Sequence, residues 1–411
     1  MAGIVLIGTL DTKGLEYAYL KDRLLEQGMG VILVDAGILG TPLIQPDIDR
    51  SEVARAAGAG IEALAAAGDR GAAVDTMARG AAEVAKRLNG EGKLQGVLGL
   101  GGSGGTSLVT YAMRQLPVGV PKLMVSTVAS GDTRPYVGDV DIAMMYSVVD
   151  ISGINRISRR ILTNAAAAIA GMASASVPEA EDRPLVGATM FGVTTPCVTA
   201  ARERLEALGY EVLVFHATGA GGRSLEALIK GELISAVLDV TTTELADELV
   251  GGVLSAGSER LEAAGAAGIP QVVSLGALDM VNFGPLDTVP ARFKNRLLYK
   301  HNSSITLMRT TPEECAELGR IIARKLNAAR GPLTLFIPLK GVSLIDAEGQ
   351  PFHDPAADQA LFEALRSNLD PGIDVRELAT DINDPAFAAA MVDTLHAYYQ
   401  AGVTTDKEAG A

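Results

Sequence analysis

The chain has 411 residues, of which 48% are hydrophobic, and its formal net charge at pH 7 is −14. This length and apolar content predict a folded protein with more than one core and exclude a disordered tail. The acidic balance excludes nucleic acid and anionic membranes as bulk partners, so any bound anion must be held by local geometry. Two distant cysteines, Cys197 and Cys315, and an N-terminus without a signal peptide predict a cytoplasmic protein.

The first half of the sequence predicts a β-loop-α-β unit. The apolar run IVLIG (4–8) precedes a polar loop, a helical pattern in LEYAYLKDRLLEQ and a second apolar run, VILVD (31–35). Later runs lack polar alternation, which is typical of strands covered by helices on both faces: GVLGL, KLMVST and DIAMMYSVV. The Ala-rich segment LTNAAAAIAGMASASV is too weakly hydrophobic to span a bilayer and predicts a buried or half-buried helix.

A loss of apolar residues at 173–185 predicts a linker between two domains, 1–180 and 181–411. After it, LVGATMF, CVTAARERLEALG and YEVLVFH repeat the β-loop-α-β pattern, which indicates one architecture used twice. Thr310 or Thr311 is the predicted N-cap of a later helix, with Pro312 at its first position. Further strands are predicted at AVLDV, QVVSL, SITLMRT and LTLFIPL. The predicted fold class is α/β, with two Rossmann-like domains that each contain a mostly parallel sheet flanked by helices.

Parallel sheets bind ligands at the carboxyl ends of their strands, and the glycine run GLGGSGGTS (99–107) is predicted to lie there. It fits neither the dinucleotide fingerprint, which follows a first strand, nor the Walker loop, whose lysine is replaced by Gly105. Its backbone N–H groups and the start of the next helix still suit a phosphate, and a flexible turn is the alternative. Lys13 in the first loop is the predicted replacement for the missing cation. Asp11 either orients Lys13 or holds Mg²⁺ through water, and capping of the helix is the alternative role.

Asp35, at the end of the second strand, occupies the place where α/β nucleotide folds contact a ribose. The loop after KLMVST adds another polar strand end. The predicted nucleotide site therefore contains Thr9, Asp11, Thr12, Lys13, Asp35, Gly101, Gly102, Ser103, Gly104, Gly105, Thr106, Ser130, Gly131 and Asp132.

The second domain has its own glycine loop with a cation, which predicts a second anion site at Gly219, Gly221, Gly222 and Arg223. Four polar residues at predicted strand ends are candidate catalytic groups, although a structural role is favoured for each one taken singly: His216, Asp239, His301 and Arg309. The histidine spacing does not predict a metal site built from side chains. A small apolar filler is favoured over a nucleophile for Cys197.

The chain resembles the Tm-one-like ATP-binding domain family, bacterial proteins similar to the N-terminal domain of the tomato mosaic virus resistance protein. The resemblance extends from about residue 4 to about residue 390. The motifs that carry it include GTLDTKG, GLGGSGGTS, TMFGVTTPCV, FHATGAGGRSLE, LDVTTTELADELVGG and KHNSSITLMRTT. The resemblance implies two Rossmann-like domains, a homodimer, and ATP bound at Thr9, Asp11, Lys13 and residues 101–106, with residues 130–132 lining the same pocket. The plant protein continues into a TIM-barrel-like domain, which raises a separate TIM-barrel-like protein as a partner.

The expected function is that of an ATP-dependent enzyme, kinase- or ligase-like, acting on a small anionic metabolite at a cleft between the two domains. A non-catalytic, ATP-gated module for binding another protein is the alternative. A third hypothesis is an ATP-independent hydrolase or lyase built on the second domain.

Overall fold

The computed structural model describes residues 2–178 and 183–409, with the side chains of the last helix described to residue 402. The chain divides into two compact units, Met1–Glu179 and Ala180–Ala411. Part of the predicted linker, residues 179–182, lies outside the described residues, and the start of that segment, up to Ser174, belongs to a helix. Within the described ranges, no helix is both long and apolar enough to cross a membrane.

Unit 1 contains a five-stranded sheet in the order β2-β1-β3-β4-β5, in which every neighbouring pair is parallel. Alternate residues of the first strand enter different cores, because successive side chains point to opposite faces of a sheet: Val5 and Ile7 pack on one face, and Ile4 and Leu6 on the other. The strands are β1 (Gly3–Gly8), β2 (Val31–Asp35), β3 (Leu94–Gly101), β4 (Lys122–Ser126) and β5 (Ala143–Tyr146). The predicted parallel sheet is confirmed.

Helices cover both faces of this sheet. They are α1 (Leu10–Glu26), α2 (Arg50–Ala56), α3 (Ile61–Ala67), α4 (Arg70–Gly90), α5 (Ser103–Arg114), α6 (Arg134–Val137) and α7 (Arg156–Ser174). The Ala-rich segment is half-buried as predicted, since α7 buries Leu162, Ala165 and Ile169 against the sheet and exposes its other face. Asn155 and Ser158 form a capping box at its start.

Unit 2 contains a parallel six-stranded sheet in the order β14-β13-β9-β8-β6-β7. Its strands are β6 (Leu185–Met190), β7 (Glu211–His216), β8 (Ala236–Thr241), β9 (Gln271–Gly276), β13 (Leu333–Pro338) and β14 (Asp374–Leu378). If the strands of each sheet are numbered in chain order, the first five strands of both sheets have the spatial order 2-1-3-4-5. The sheet of unit 2 has a sixth strand beyond the fifth. The α/β architecture used twice is thus confirmed.

A small antiparallel sheet is inserted between β9 and β13, with strands β10 (Met280–Phe283), β11 (Leu298–Lys300) and β12 (Thr306–Arg309) in the order β10-β12-β11. The strand predicted at SITLMRT is β12, and it lies in this insertion and not in the parallel sheet. The helices of unit 2 are α8 (Thr195–Ala207), α9 (Ala220–Lys230), α10 (Glu244–Val250), α11 (Ala263–Ala267), α12 (Pro312–Asn327), α13 (Pro355–Asn368) and α14 (Pro385–Ala409), with 3₁₀ turns at Gly192–Thr194, Leu286–Thr288 and Ala291–Phe293. Thr311 caps α12, and Pro312 is its first residue.

Candidate functional site

The strand order of unit 1 creates a crevice at one place on the sheet edge. Because β1 lies between β2 and β3, the connections leave β1 and β3 in opposite directions, and ligands of such sheets bind at the carboxyl ends of these two strands. A cavity of about 560 Å³ lies there. This volume is within the usual range for a site that binds a small molecule or cofactor.

The cavity brings together most of the residues predicted for a nucleotide. The loop after β1 and the loop after β3 supply opposite parts of its wall, although they are about 90 residues apart in the sequence. The predicted residues that line it are Thr9, Asp11, Thr12, Lys13, Gly101, Gly102, Ser103, Gly104 and Gly105.

The glycines of the second loop have two different structural roles. Gly101 must be small for packing, because a Cβ atom there would lie 2.9 Å from the Cα atom of Gly105. A Cβ atom on Gly104 would meet no protein atom within 4 Å, so packing within the chain does not require a glycine there. Gly102 is the N-cap of α5, whose first amide N–H groups have no partner within the helix. The loop therefore presents open backbone donors to the cavity.

Lys13 lies at a kink in α1, where its φ of −122° and ψ of 16° depart from helical values. Its ammonium group donates a hydrogen bond to the carbonyl oxygen of Ile151, in the segment after β5. An ammonium group has three N–H donors, so this contact leaves donors for a bound anion. The kink and the bond fix the lysine on the cavity wall.

Asp35 is buried and Asp11 is half-buried, and their carboxylates differ in their partners. Asp35 accepts hydrogen bonds from the backbone N–H of Leu10 (3.1 Å) and of Gly37 (2.9 Å), and from Nε of Arg50 (2.7 Å). Asp35 does not line the cavity, and its oxygens hold the loops after β1 and β2 together. The ribose contact stays a prediction. By contrast, Oδ1 of Asp11 is buried without a hydrogen-bond partner among the described residues, and its Oδ2 lies 3.8 Å from Nη1 of Arg50.

Thr106 and residues 130–132 also lie outside the cavity wall. Thr106 is fully buried, and its hydroxyl donates to the carbonyl oxygen of Gly102 (2.7 Å), which braces the glycine loop from behind. Residues 130–132 follow β4 but are exposed, and Asp132 is paired with Arg134 at 2.8 Å. The hydrogen bonds from Arg134 lower the pKa of Asp132 to about 2. The contact of residues 130–132 with a nucleotide stays a prediction.

In unit 2, the candidate catalytic residue Asp239 takes part in a buried ion cluster with Glu244 and Arg260. Arg260 is fully buried and donates to both carboxylate oxygens of Asp239 (2.6 and 2.7 Å) and to Oε2 of Glu244 (2.7 Å). Burial alone would lower the pKa of Arg260, but the surrounding carboxylates raise it well above its usual value. Asp239 is therefore a structural residue and not an exposed catalytic group.

The glycine loop predicted as a second anion site binds a carboxylate of the chain itself. The backbone N–H groups of Gly219 and Gly222 donate to Oε1 of Glu244 at 2.7 and 3.0 Å. A Cβ atom on Gly222 would lie 2.1 Å from Oε2 of the same carboxylate. Arg223 donates to the carbonyl oxygen of Ser255 (3.0 Å). This corrects the prediction: the glycines admit a carboxylate, but it is an internal one from α10.

The candidate catalytic residues do not form a common site. His216 is exposed at the end of the edge strand β7, with its ring 5.5 Å from that of Phe191. His301 is exposed between β11 and β12. Arg309 is buried, and its Nη2 atom donates to Asp358 at 2.7 Å. Since Asp239 is bound to Arg260, the four residues belong to separate surroundings.

The comparison with protein families covers both units. The N-terminal domain model of the uncharacterised protein family UPF0261 matches residues 2–178, and its C-terminal domain model matches residues 183–399. The chain belongs to the UPF0261 family.

Relatives in this family cover nearly the whole chain. A UPF0261 protein of Clostridium tetani is 56% identical over 394 residues, which are 95% of this chain and 98% of that protein. A UPF0261 protein of Rhizobium meliloti is 50% identical over 394 residues, with the same coverage. The ToMV resistance protein Tm-1(GCR237) of Solanum lycopersicum is 48% identical over 333 residues, which are 79% of this chain but only 44% of the tomato protein. The predicted resemblance to the tomato protein is confirmed.

The sequence reasoning missed several residues that line the cavity in this UPF0261 protein. Arg70 is the first residue of α4, and its exposed side chain has no ion-pair partner in the part of the chain that the structure describes. Asp150, after β5, adds a second carboxylate beside that of Asp11. The remaining wall includes the carboxylate of Asp69 and is otherwise made of glycine and apolar residues, among them Ile38, Leu39, Leu64, Ala73, Val74 and Leu108. An N-cap at Asp69 indicates where α4 begins, but only long-range packing brings that helix to the glycine loop.

The two cysteines of the chain are buried and free. Burial raises the pKa of the Cys197 thiol to about 12, although it lies in the first turn of α8. A thiol with such a pKa is protonated at neutral pH and is a poor nucleophile. This supports the interpretation of Cys197 as a small apolar filler in this UPF0261 protein.

Proposed function

We propose that unit 1 binds ATP in the cavity at the carboxyl ends of β1 and β3. The observation that supports this proposal is the mixed lining of the cavity. Backbone N–H groups of the glycine loop and the cations Lys13 and Arg70 suit a triphosphate. Apolar lining residues, among them Leu39, which is 66% exposed, suit a purine ring.

The residues present also fit a magnesium ion bound with the triphosphate. Mg²⁺ prefers one or two carboxylates together with phosphate oxygens and water. The unpartnered, buried Oδ1 atom of Asp11 and the carboxylate of Asp150 are suitable ligands at the cavity wall. Throughout the described ranges, no group of three or more His, Cys, Asp or Glu side chains could hold a metal ion by itself. The metal would therefore bind as part of the nucleotide complex and neutralise its charge.

Isothermal titration calorimetry with Mg·ATP tests the site. Losing a hydrogen bond to a charged group costs about 1.5–3 kcal/mol, so Lys13→Ala should weaken binding by roughly ten- to a hundredfold. Gly104→Val should abolish binding, because its side chain would fill the space that the phosphates approach. The fold of this variant should persist, since its Cβ atom meets no protein atom. Gly90→Val is the control at an equally open position on another helix.

Unchanged affinity in both Lys13→Ala and Gly104→Val would refute the proposal. Normal binding by Gly104→Val alone would remove the glycine loop from the site. The melting temperature of each variant without nucleotide shows whether a loss of affinity reflects unfolding.

We further propose that the bound ATP serves an enzyme that acts on a small anionic metabolite, in a cytoplasmic protein. The order 2-1-3-4-5 of the first five strands, identical in the two units, is that of a doubly wound α/β sheet, which binds ligands at the same kind of crevice as a Rossmann domain. The free cysteines suit a reducing compartment. Formation of ADP, AMP or phosphate with a panel of sugar acids and carboxylates would support an enzyme. Binding of ATP without turnover would favour the ATP-gated module. The homodimer and the TIM-barrel-like partner stay predictions.

A further inference from the structure

A second cavity, of about 530 Å³, lies in unit 2 at the carboxyl ends of β13 and β14. Lys340 comes two residues after the end of β13, and Asp381 three residues after the end of β14. The first turns of α13 form another wall, with Asp358 and Gln359. The cavity thus occupies the edge at which parallel sheets bind ligands, and it contains none of the residues predicted for catalysis.

The wall of this cavity is backed by an excess of buried carboxyl groups. Nη2 of Arg309 lies 2.7 Å from Oδ1 of Asp358 and 3.2 Å from Oδ1 of Asp346. Asp279 is also buried beside them, and its Oδ1 atom has no hydrogen-bond partner among the residues that the structure describes. One buried guanidinium group therefore lies among three buried carboxyl groups, so the buried acidic groups outnumber the buried cation.

The other groups around the cluster are a thiol, an imidazole and two further carboxylates. Burial raises the pKa of the Cys315 thiol to about 11, so it is neutral. Nδ1 of His353 donates to the carbonyl oxygen of Asp346 at 3.0 Å, and Glu348 and Asp381 also line the cavity. Burial and the neighbouring Asp346 raise the pKa of Asp358 to about 7. Around neutral pH, protons therefore occupy the place that a bound cation could take.

We propose that this cavity binds a small zwitterion of the amino-acid class, whose ammonium group pairs with Asp358 and whose carboxylate pairs with Lys340. The Lys340 side chain is exposed and has no ion-pair partner within residues 2–178 and 183–409. A neutral or purely anionic ligand leaves the protons of the buried carboxyl groups in place, whereas an ammonium group pairs with the carboxylate of Asp358 and displaces a proton. The site belongs to unit 2 alone and does not depend on nucleotide binding by unit 1.

Ligand-observed NMR and calorimetry with the full chain test this proposal. The probes are β-alanine, γ-aminobutyrate and ε-aminocaproate, which differ in the separation of their charges. Butyrate and butylamine are the matched controls that each carry one charge. At least one zwitterion should bind about tenfold more tightly than both controls, because it makes two charge-assisted contacts. At slightly acidic pH, calorimetry in two buffers of different ionisation enthalpy should show proton release on binding.

Three variants separate the roles of the two charges. Asp358→Asn and Lys340→Met should each weaken the zwitterion by about tenfold, whereas Lys300→Met, an exposed lysine outside the cavity, should leave it unchanged. Lys340→Met keeps the test decisive if Asp358→Asn fails to fold, since an exposed side chain contributes little to stability. The proposal is overturned if no probe binds, if butyrate binds as tightly as the zwitterions, if no proton is released, or if Lys340→Met binds as the original chain does.

Discussion

Replacing Arg260 with methionine tests whether the acidic residues of unit 2 are structural. Methionine is flexible and apolar and fills much of the same space, so the main loss is the positive charge. The side chain of Arg260 is 0% exposed, and those of Asp239 and Glu244 are 3% and 0% exposed. Glu226, whose side chain is 9% exposed, also lies 3.5 Å from Arg260, so the variant would bury three carboxylates without this cation.

The size of the effect follows from this burial. Removing one partner of a buried ion pair costs about 3–5 kcal/mol, because the remaining charge is uncompensated. For a domain of 150–250 residues, each kcal/mol lowers the melting temperature by about 2–4 °C, so unit 2 should melt roughly 6–20 °C lower. Arg320→Met is the matched control, since Arg320 is half exposed and pairs only with Glu317 on the same helix. It should melt almost as the original chain does.

Differential scanning calorimetry of the full chain at several pH values measures this loss. Acidification should recover part of it in Arg260→Met, because the carboxyl groups left without a cation can then bind protons and become neutral. A variant that melts like the original chain at neutral pH would refute the assignment of a structural role. A loss that grows as the pH falls would also contradict the reasoning.

Two further changes test the charge and the packing of particular residues. Burial raises the pKa of Asp247 to about 7, so between about pH 4 and pH 7 the folded chain binds more protons than the unfolded chain and its free energy of unfolding falls as pH rises. Asp247→Asn should remove up to about 1.4 kcal/mol per pH unit of that slope in urea titrations, and an unaltered slope would contradict this assignment. Gly80→Ala should lower the melting temperature, because its Cβ atom would lie 2.0 Å from the carbonyl oxygen of Val53. Gly171→Ala is the control, and it should raise the melting temperature slightly, because its Cβ atom meets no atom within 4 Å. Equal shifts in the two variants would refute the packing argument.

Several features of the fold could be predicted because they depend on local sequence. The apolar runs without alternation identify parallel strands, since both of their faces are covered by helices. Thr311 and Pro312 mark a helix start through local hydrogen bonding and the restricted φ of proline. The sequence predicts the strand at SITLMRT but not its sheet, because an apolar run does not reveal which strand will be its neighbour.

The candidate site also combines features that local sequence predicts with contacts that only the fold determines. Glycines and a lysine after buried strands indicate an anion site, because the backbone and charge that an anion needs are local properties of those loops. The partner of each loop depends on contacts between distant segments. Gly219 and Gly222 bind the carboxylate of Glu244, and no local pattern shows that α10 carries it there.

The sequence alone determines the class of the fold, the repeated β-loop-α-β unit and the family, because apolar periodicity and motif spacing are properties of single segments. Strand order, burial and charge pairing arise between segments that lie far apart. These decide that Lys13 and the loop at Gly104 line one cavity, and that Asp239 is neutralised in a core. Whether a polar side chain is available to bind a ligand therefore depends on whether a residue from a distant segment already binds it.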